Sequence, residues 1–224
     1  MVMDFAKARQ RMVDGQIRPV NVSALSVVSV FLDTAREVFV PKDRRSEAYA
    51  DGRVELVPAK DGLPARYMPP AAALARLIQL ANIGKDDFIL DVGAATGYGA
   101  ALMAQLGGAV VALECDAQLA QYAEGLFAAH KCENITIVEG PLAQGCTVQA
   151  PYDVIILEGA VPSVPEALLA QLREGGRLAA VEGEGAAAFA CLYEREDGVI
   201  SRRQAFNLAL DPLPGLERPA GFTF

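Results

Sequence analysis

Apolar positions along the chain follow two rhythms, and the change falls near residue 80. Upstream, Val27, Val28, Phe31 and Leu32 recur at the spacing of one helix face, which predicts a helix over Ser23–Thr34 with Ser23 or Asn21 as N-cap. Gly52, Gly62 and several prolines predict an irregular path for residues 42–68. Ala71–Ala81 is rich in strong helix formers and follows Pro69-Pro70, a pair suited to a helix start.

Downstream, short apolar runs alternate with helical segments. Strands are predicted at Phe88–Val92, Ala109–Leu113, Asn134–Val138, Asp153–Leu157 and Arg177–Val181, and helices at Tyr98–Gln105, Gln118–Ala129 and Glu166–Leu172. Gly107-Gly108 stops one helix, and Gly175-Gly176 is expected to turn the chain into the last of those strands. Ala188–Arg195 and Val199–Leu210 flank Asp197-Gly198, a pair suited to a tight hairpin turn. The pattern predicts an α/β fold: a Rossmann-like, doubly wound, mainly parallel sheet of seven strands with helices on both faces and a C-terminal β-hairpin. Residues 1–80 are expected to form a helical cap on the substrate side, and residues 81–224 the ligand-binding domain.

Composition narrows the functional classes. With 224 residues, 52% hydrophobic and 21% charged, the chain is globular and can bury a core without metals or disulfides. Twenty basic against twenty-eight acidic side chains, a net charge of −8, argue against nucleic acid as the main partner, because a polyanion needs a basic surface. The four cysteines, Cys115, Cys132, Cys146 and Cys191, form no Cys-x-x-Cys pair, and His130 is the only histidine, so no metal site is expected. A Ser-His-Asp relay would have to pass through His130, which reads instead as a solvent-edge residue near a helix C-terminus. The cysteines read as small core residues of a reducing compartment. The chain opens with charged residues where a signal peptide needs an apolar run, and Val22–Leu32 is too short to span a bilayer. A cytoplasmic protein with no membrane partner is expected.

The most informative segment is Ile89-Leu90-Asp91-Val92-Gly93-Ala94-Ala95-Thr96-Gly97-Tyr98-Gly99, a strand entering a glycine-rich turn that opens a helix. Glycines there let backbone and ligand approach closely. A dinucleotide site wants Gly-x-Gly-x-x-Gly, but the glycines fall at 93, 97 and 99 and Ala95 takes the place of the second. Asp91 would repel a pyrophosphate and would welcome a cation. S-adenosylmethionine carries a sulfonium and an ammonium and no phosphate, so it suits this turn. Glu114 lies 114 − 93 = 21 residues beyond Gly93, where a Rossmann-type site hydrogen-bonds ribose hydroxyls. An open crevice for a cationic, phosphate-free nucleoside is expected between these carboxylates. A nicotinamide-linked oxidoreductase on the same architecture is disfavoured by Ala95 and Asp91.

The chain resembles the protein-L-isoaspartate O-methyltransferase family of class I S-adenosylmethionine-dependent methyltransferases over nearly its whole length. The resemblance rests on Met12-Val13-x-x-Gln16-Ile17-Arg18, Arg36-Glu37-Val38-Phe39-Val40-Pro41, Ala48-Tyr49-Ala50-Asp51, the turn from Asp91 to Tyr98 and Ala112-Leu113-Glu114. It continues through Tyr152–Ile156, Val164–Leu168 and Gln171-Leu172-x-x-Gly175-Gly176-Arg177-Leu178. It implies S-adenosyl-L-methionine as cofactor and methyl transfer to a carboxylate of damaged aspartyl residues in proteins, with a protein or small-molecule acceptor. The cofactor residues implied are Met68, Asp91, Gly93, Ala94, Ala95, Thr96, Gly97, Tyr98, Glu114, Cys115, Pro141, Leu142 and Glu158.

Two departures bear on the substrate. Met68-Pro69-Pro70 stands where the family carries Ser-Gln-Pro or Ser-Ala-Pro, and the family's serine hydroxyl lies at the reaction centre. Gly140-Pro141-Leu142 stands where the family has Gly-Asp-Gly, whose aspartate accepts from the adenine amino group; that loss is worth about 1 kcal/mol. Arg66, Tyr67 and Glu158 are the candidates for acceptor contacts or catalysis. Glu158, where the family usually has a small or hydroxyl residue, could stabilise a cation or act as a base. A changed acceptor, and a non-catalytic sensor or scaffold role, are the alternatives these departures raise.

Overall fold

The computed structural model describes residues 3–59 and 64–216; Met1, Val2 and Gly62 of the sequence reading lie outside them. The N-terminal third is mostly helical. Helix α1 (Phe5–Met12), capped by the Asp4 side chain on the Lys7 N–H, runs into a π-turn at Val13–Ile17, and α2 covers Leu25–Asp33. The cap of α2 differs from expectation: neither Ser23 nor Asn21 supplies it. The Gln79 side-chain amide oxygen accepts from the Ser23 and Ala24 N–H groups at 2.8 and 3.0 Å, so a distant helix satisfies those donors.

The stretch 42–68, expected to be irregular, contains a short antiparallel pair, β1 (Val54–Val57) and β2 (Arg66–Met68). Alternation of buried and half-buried positions along β1 is the local reason for this pairing. Helix α3 (Ala71–Ala81) follows, with buried Leu74, Leu77 and Ile78 on its inner stripe.

The α/β alternation then builds the sheet from β3 (Phe88–Val92), α4 (Tyr98–Met103), β4 (Ala109–Glu114), α5 (Ala117–His130), β5 (Ile135–Glu139), β6 (Tyr152–Val161), α6 (Glu166–Leu169), β7 (Leu172–Glu182), β8 (Phe189–Glu196) and β9 (Val199–Asn207). The sheet order is β5-β4-β3-β6-β7-β8-β9. The first five are parallel, and β8 and β9 are antiparallel additions. Positive φ at both Asp197 and Gly198 matches the tight turn between the last two.

Several boundaries depart from the sequence reading, two of them around the start of β7. Helix α6 is one turn, not the segment to Leu172, because Leu172 already pairs with Tyr152 at the start of β7. Gly175-Gly176 therefore lies inside β7, where the register jumps from Leu172 to Arg177, and Gly175 takes φ +77°.

Period-two alternation sorts β3 between two cores. Ile89 joins the core shared with α2, α3 and α4, and Leu90 and Val92 join the one containing Leu168 and Leu213. Asp91 shares the face of Ile89. The order reverses at β3, with β4 on one side and β6 on the other, so a crevice opens at the carboxyl ends of β3 and β6, where such sheets take ligands. Among the described residues, no helix is long and apolar enough to cross a membrane.

Candidate functional site

The turn after β3 is built from left-handed backbone. Gly93 and Gly97 both have φ +84°, and Ala95 has φ +50°, a conformation that costs an L-residue about 1–2 kcal/mol. Gly93 and Ala94 donate to the Leu113 carbonyl at 2.9 and 3.1 Å, which ties the turn to β4. Ala94, Ala95 and Thr96 are buried, and the Thr96 hydroxyl has no partner. Gly97 is obligatory: a Cβ there would stand 2.3 Å from the Phe127 ring.

Glu114, at the end of β4, is wholly buried at the mouth of this turn. Its Oε2 accepts from the Ala95 N–H at 2.7 Å, and its Oε1 from the Cys115 and Asp116 N–H groups, each at 2.9 Å. Arg66 of β2 completes the shell with two N–H···O bonds, 2.6 Å to Oε1 and 2.8 Å to Oε2. Burial alone would raise the Glu114 pKa, but the Arg66 bonds and the backbone N–H groups outweigh it and hold the carboxyl below its ordinary value. The exposed Cys115 sets its sulfur 3.4 Å from Oε1. Its exposure departs from the core role expected of the cysteines; Cys146 and Cys191 are buried.

Asp91 and Glu158 form a second carboxyl pair, both buried. Burial raises both pKa values, and the neighbouring charge adds to the rise at Glu158. Both Asp91 oxygens and the Glu158 Oε1 are buried with no hydrogen-bond partner. Glu158 lies over the turn so closely that a Cβ on Gly99 would stand 1.5 Å from its Oε1.

The remaining sequence candidates divide. Tyr67 lines the crevice with Arg66 and Pro69, and the Arg53 guanidinium sits 3.9 Å over its ring. Leu142 is buried beside Gly93, whereas Pro141 is exposed. Met68 and Tyr98 are buried in the main core; Tyr98 packs against Phe31, Phe39 and Arg36. His130, the last residue of α5, is exposed.

One site residue escaped the sequence reading. Leu213, in the segment after β9, reaches over the turn, its Cδ2 2.5 Å from where a Cβ on Gly93 would stand. Nothing local to Leu213 signals this, because its partners lie in β3 and β6.

The strand-reversal crevice, glycine turn and strand-end acid define a Rossmann-like α/β protein with a nucleoside-type cradle as the class. A family model for protein-L-isoaspartate(D-aspartate) O-methyltransferase matches residues 7–215. The chain is 32% identical to the protein-L-isoaspartate O-methyltransferase of Koribacter versatilis, over 94% of this chain and 92% of that one. It is also 32% identical to that of a Roseiflexus species, over 95% and 94%. A solved protein-L-isoaspartate O-methyltransferase superposes with a TM-score of 0.78 over 93% of this chain and 67% of that one, at 24% identity. A Plasmodium falciparum structure, described as a protein-L-isoaspartate O-methyltransferase in complex with S-adenosyl-L-homocysteine, gives 0.74 over 96% and 100%, at 18% identity. The chain belongs to the protein-L-isoaspartate O-methyltransferase family, whose members use S-adenosylmethionine.

The donor set suits that cofactor in kind: carboxylates for cations and a glycine turn for close approach. The space does not. Arg66, Glu158 and Leu213 fill the crevice, and the cavity left among Ala65, Arg66, Tyr67, Gly93 and Glu158 is about 30 Å³, against at least roughly 300 Å³ for a ligand of that size. The side chains as placed exclude the cofactor, in contrast to the open crevice expected from the sequence. The physical reason is that a buried carboxylate must be paired, and Arg66 pairs Glu114 from within the chain.

Proposed function

We propose that this chain is an S-adenosylmethionine-dependent protein carboxyl methyltransferase. The carrying observation is the turn from Gly93 to Gly97 with Glu114 at its mouth, in a chain matching the family from residue 7 to 215. A carboxylate acceptor supports the reading, since it is ionised at neutral pH and needs no general base, and the described residues that line the crevice include neither histidine nor lysine. Met68, buried in the core where the family carries serine, leaves the acceptor without that hydroxyl. We therefore assign a carboxylate other than the isoaspartyl side chain as the acceptor. The free thiols of Cys115, Cys132, Cys146 and Cys191 favour a reducing, cytoplasmic setting.

The test is transfer of a labelled methyl group to an isoaspartyl peptide and to the proteins of a cell lysate. Base-labile label in lysate protein with little in the peptide is the expected result; efficient peptide turnover would return the acceptor to the isoaspartyl group. The filled crevice favours a second reading, a non-catalytic family member. Absence of methyl transfer to either substrate would decide for it.

A further inference from the structure

We propose that Arg66 is the resident ligand of the nucleoside cradle and sets its affinity for the cofactor: the guanidinium holds the two Glu114 oxygens that a ribose edge would use. This rests on the reading that the cradle takes a nucleoside.

The argument is one of hydrogen-bond capacity. An ionised carboxylate offers about four lone-pair sites. Glu114 already accepts five N–H groups, three from the backbone of Ala95, Cys115 and Asp116 and two from Arg66. The backbone donors belong to the turn and stay with the fold. A ribose has two hydroxyl donors on adjacent carbons, and they can reach Glu114 only by replacing the two guanidinium bonds, one for one. The Arg66 side chain is 11% exposed and that of Glu114 wholly buried, so the pair is shielded from water and holds its geometry tightly.

Charge strengthens the competition. A ribose is neutral, so the exchange leaves Glu114 without its cation. Arg66 thus discriminates against every nucleoside by the same amount, whatever its base. The competitor comes from β2, 48 residues before Glu114 and outside the glycine turn.

The test is calorimetric titration of S-adenosylhomocysteine into the full chain and its Arg66→Gln and Arg66→Lys variants, with circular dichroism confirming that each is folded. Glutamine removes the charge and the fork; lysine keeps the charge and loses the fork. Affinity at least tenfold tighter in R66Q than in the parent chain, with R66K between them, is expected. Equal or weaker binding in both variants would overturn the proposal, as would absence of binding in all three proteins, which would also remove the nucleoside reading. Tighter binding in R66Q without methyl transfer to any acceptor would leave the competitor role standing and remove the enzymatic reading. Tight binding by the parent chain, unchanged in both variants, would do the reverse.

Discussion

The Arg36 guanidinium donates to the Pro69 carbonyl oxygen at 2.7 Å, joining the segment after α2 to the turn that leads into α3. Its Nε also donates to the Ala48 carbonyl at 2.8 Å, and its carbon lies 4.8 Å from the centre of the Tyr98 ring. Arg36 is 1% exposed, so burial lowers its pKa, although Tyr98 and Glu158 favour the charged form. One fork therefore anchors two loops and the wall of the crevice, where Pro69 sits.

Replacing Arg36 with methionine keeps the apolar bulk but orphans both carbonyl oxygens. Hydrogen bonds to charged groups contribute about 1.5–3 kcal/mol each, so a loss of about 3 kcal/mol or more is expected. Chemical denaturation would show it as a lower midpoint at unchanged slope. A shift within error of zero would mean that the two loops hold without Arg36.

The Asp91–Glu158 pair gives stability a particular pH dependence. Burial raises Asp91 from 3.8 to about 7 in the folded chain, and raises Glu158 well above its ordinary value. Between those unfolded and folded values the native state binds more protons than the unfolded state, so unfolding free energy falls as pH rises through the window. Glu114, lowered, has the opposite slope, but acts only below the ordinary carboxylate range. Glu158→Gln removes one of the two buried titratable carboxyls at nearly unchanged shape. It is expected to flatten the slope between about pH 5 and about pH 8 and to exceed the parent chain in stability at the upper end. Denaturation curves across that range test it; an unchanged slope in the variant would sink the assignment.

What the sequence showed and what it hid follow the range of the interactions. Strand β3 matches its expected limits, Phe88–Val92, because its apolar run and Gly93 are local signals. Features set by distant partners were not legible. Gln79 caps α2 across 55 and 56 residues, and Arg66 meets Glu114 across 48. Gly175-Gly176 reads locally as a turn, and only the pairing of Leu172 with Tyr152 makes it a bulge. In the site, the glycine spacing and strand-end acid pointed to the cradle, whereas its filling depended on β2 and on the segment carrying Leu213.

Leu213 is the last test of the closed crevice. It is 4% exposed, and its segment is pinned by the Leu213 N–H on the Ala160 carbonyl at 2.9 Å and the Ala160 N–H on the Asp211 carbonyl at 2.8 Å. The Arg53–Asp211 ion pair adds a tie to the loop before β1. The side chain fills space left by two glycines: a Cβ at Gly93 would stand 2.5 Å from Leu213, and one at Gly159 2.7 Å. Truncation to alanine leaves a void that the rigid turn cannot close, because the turn is bonded to β4 through Leu113. Core Leu→Ala changes cost about 2–5 kcal/mol, and a site beside an existing small cavity belongs near the lower end. A loss of about 2–3 kcal/mol in guanidinium unfolding is therefore expected for Leu213→Ala. A loss under about 0.5 kcal/mol, within the usual range for surface substitutions, would show that the segment rests on the crevice without sealing it.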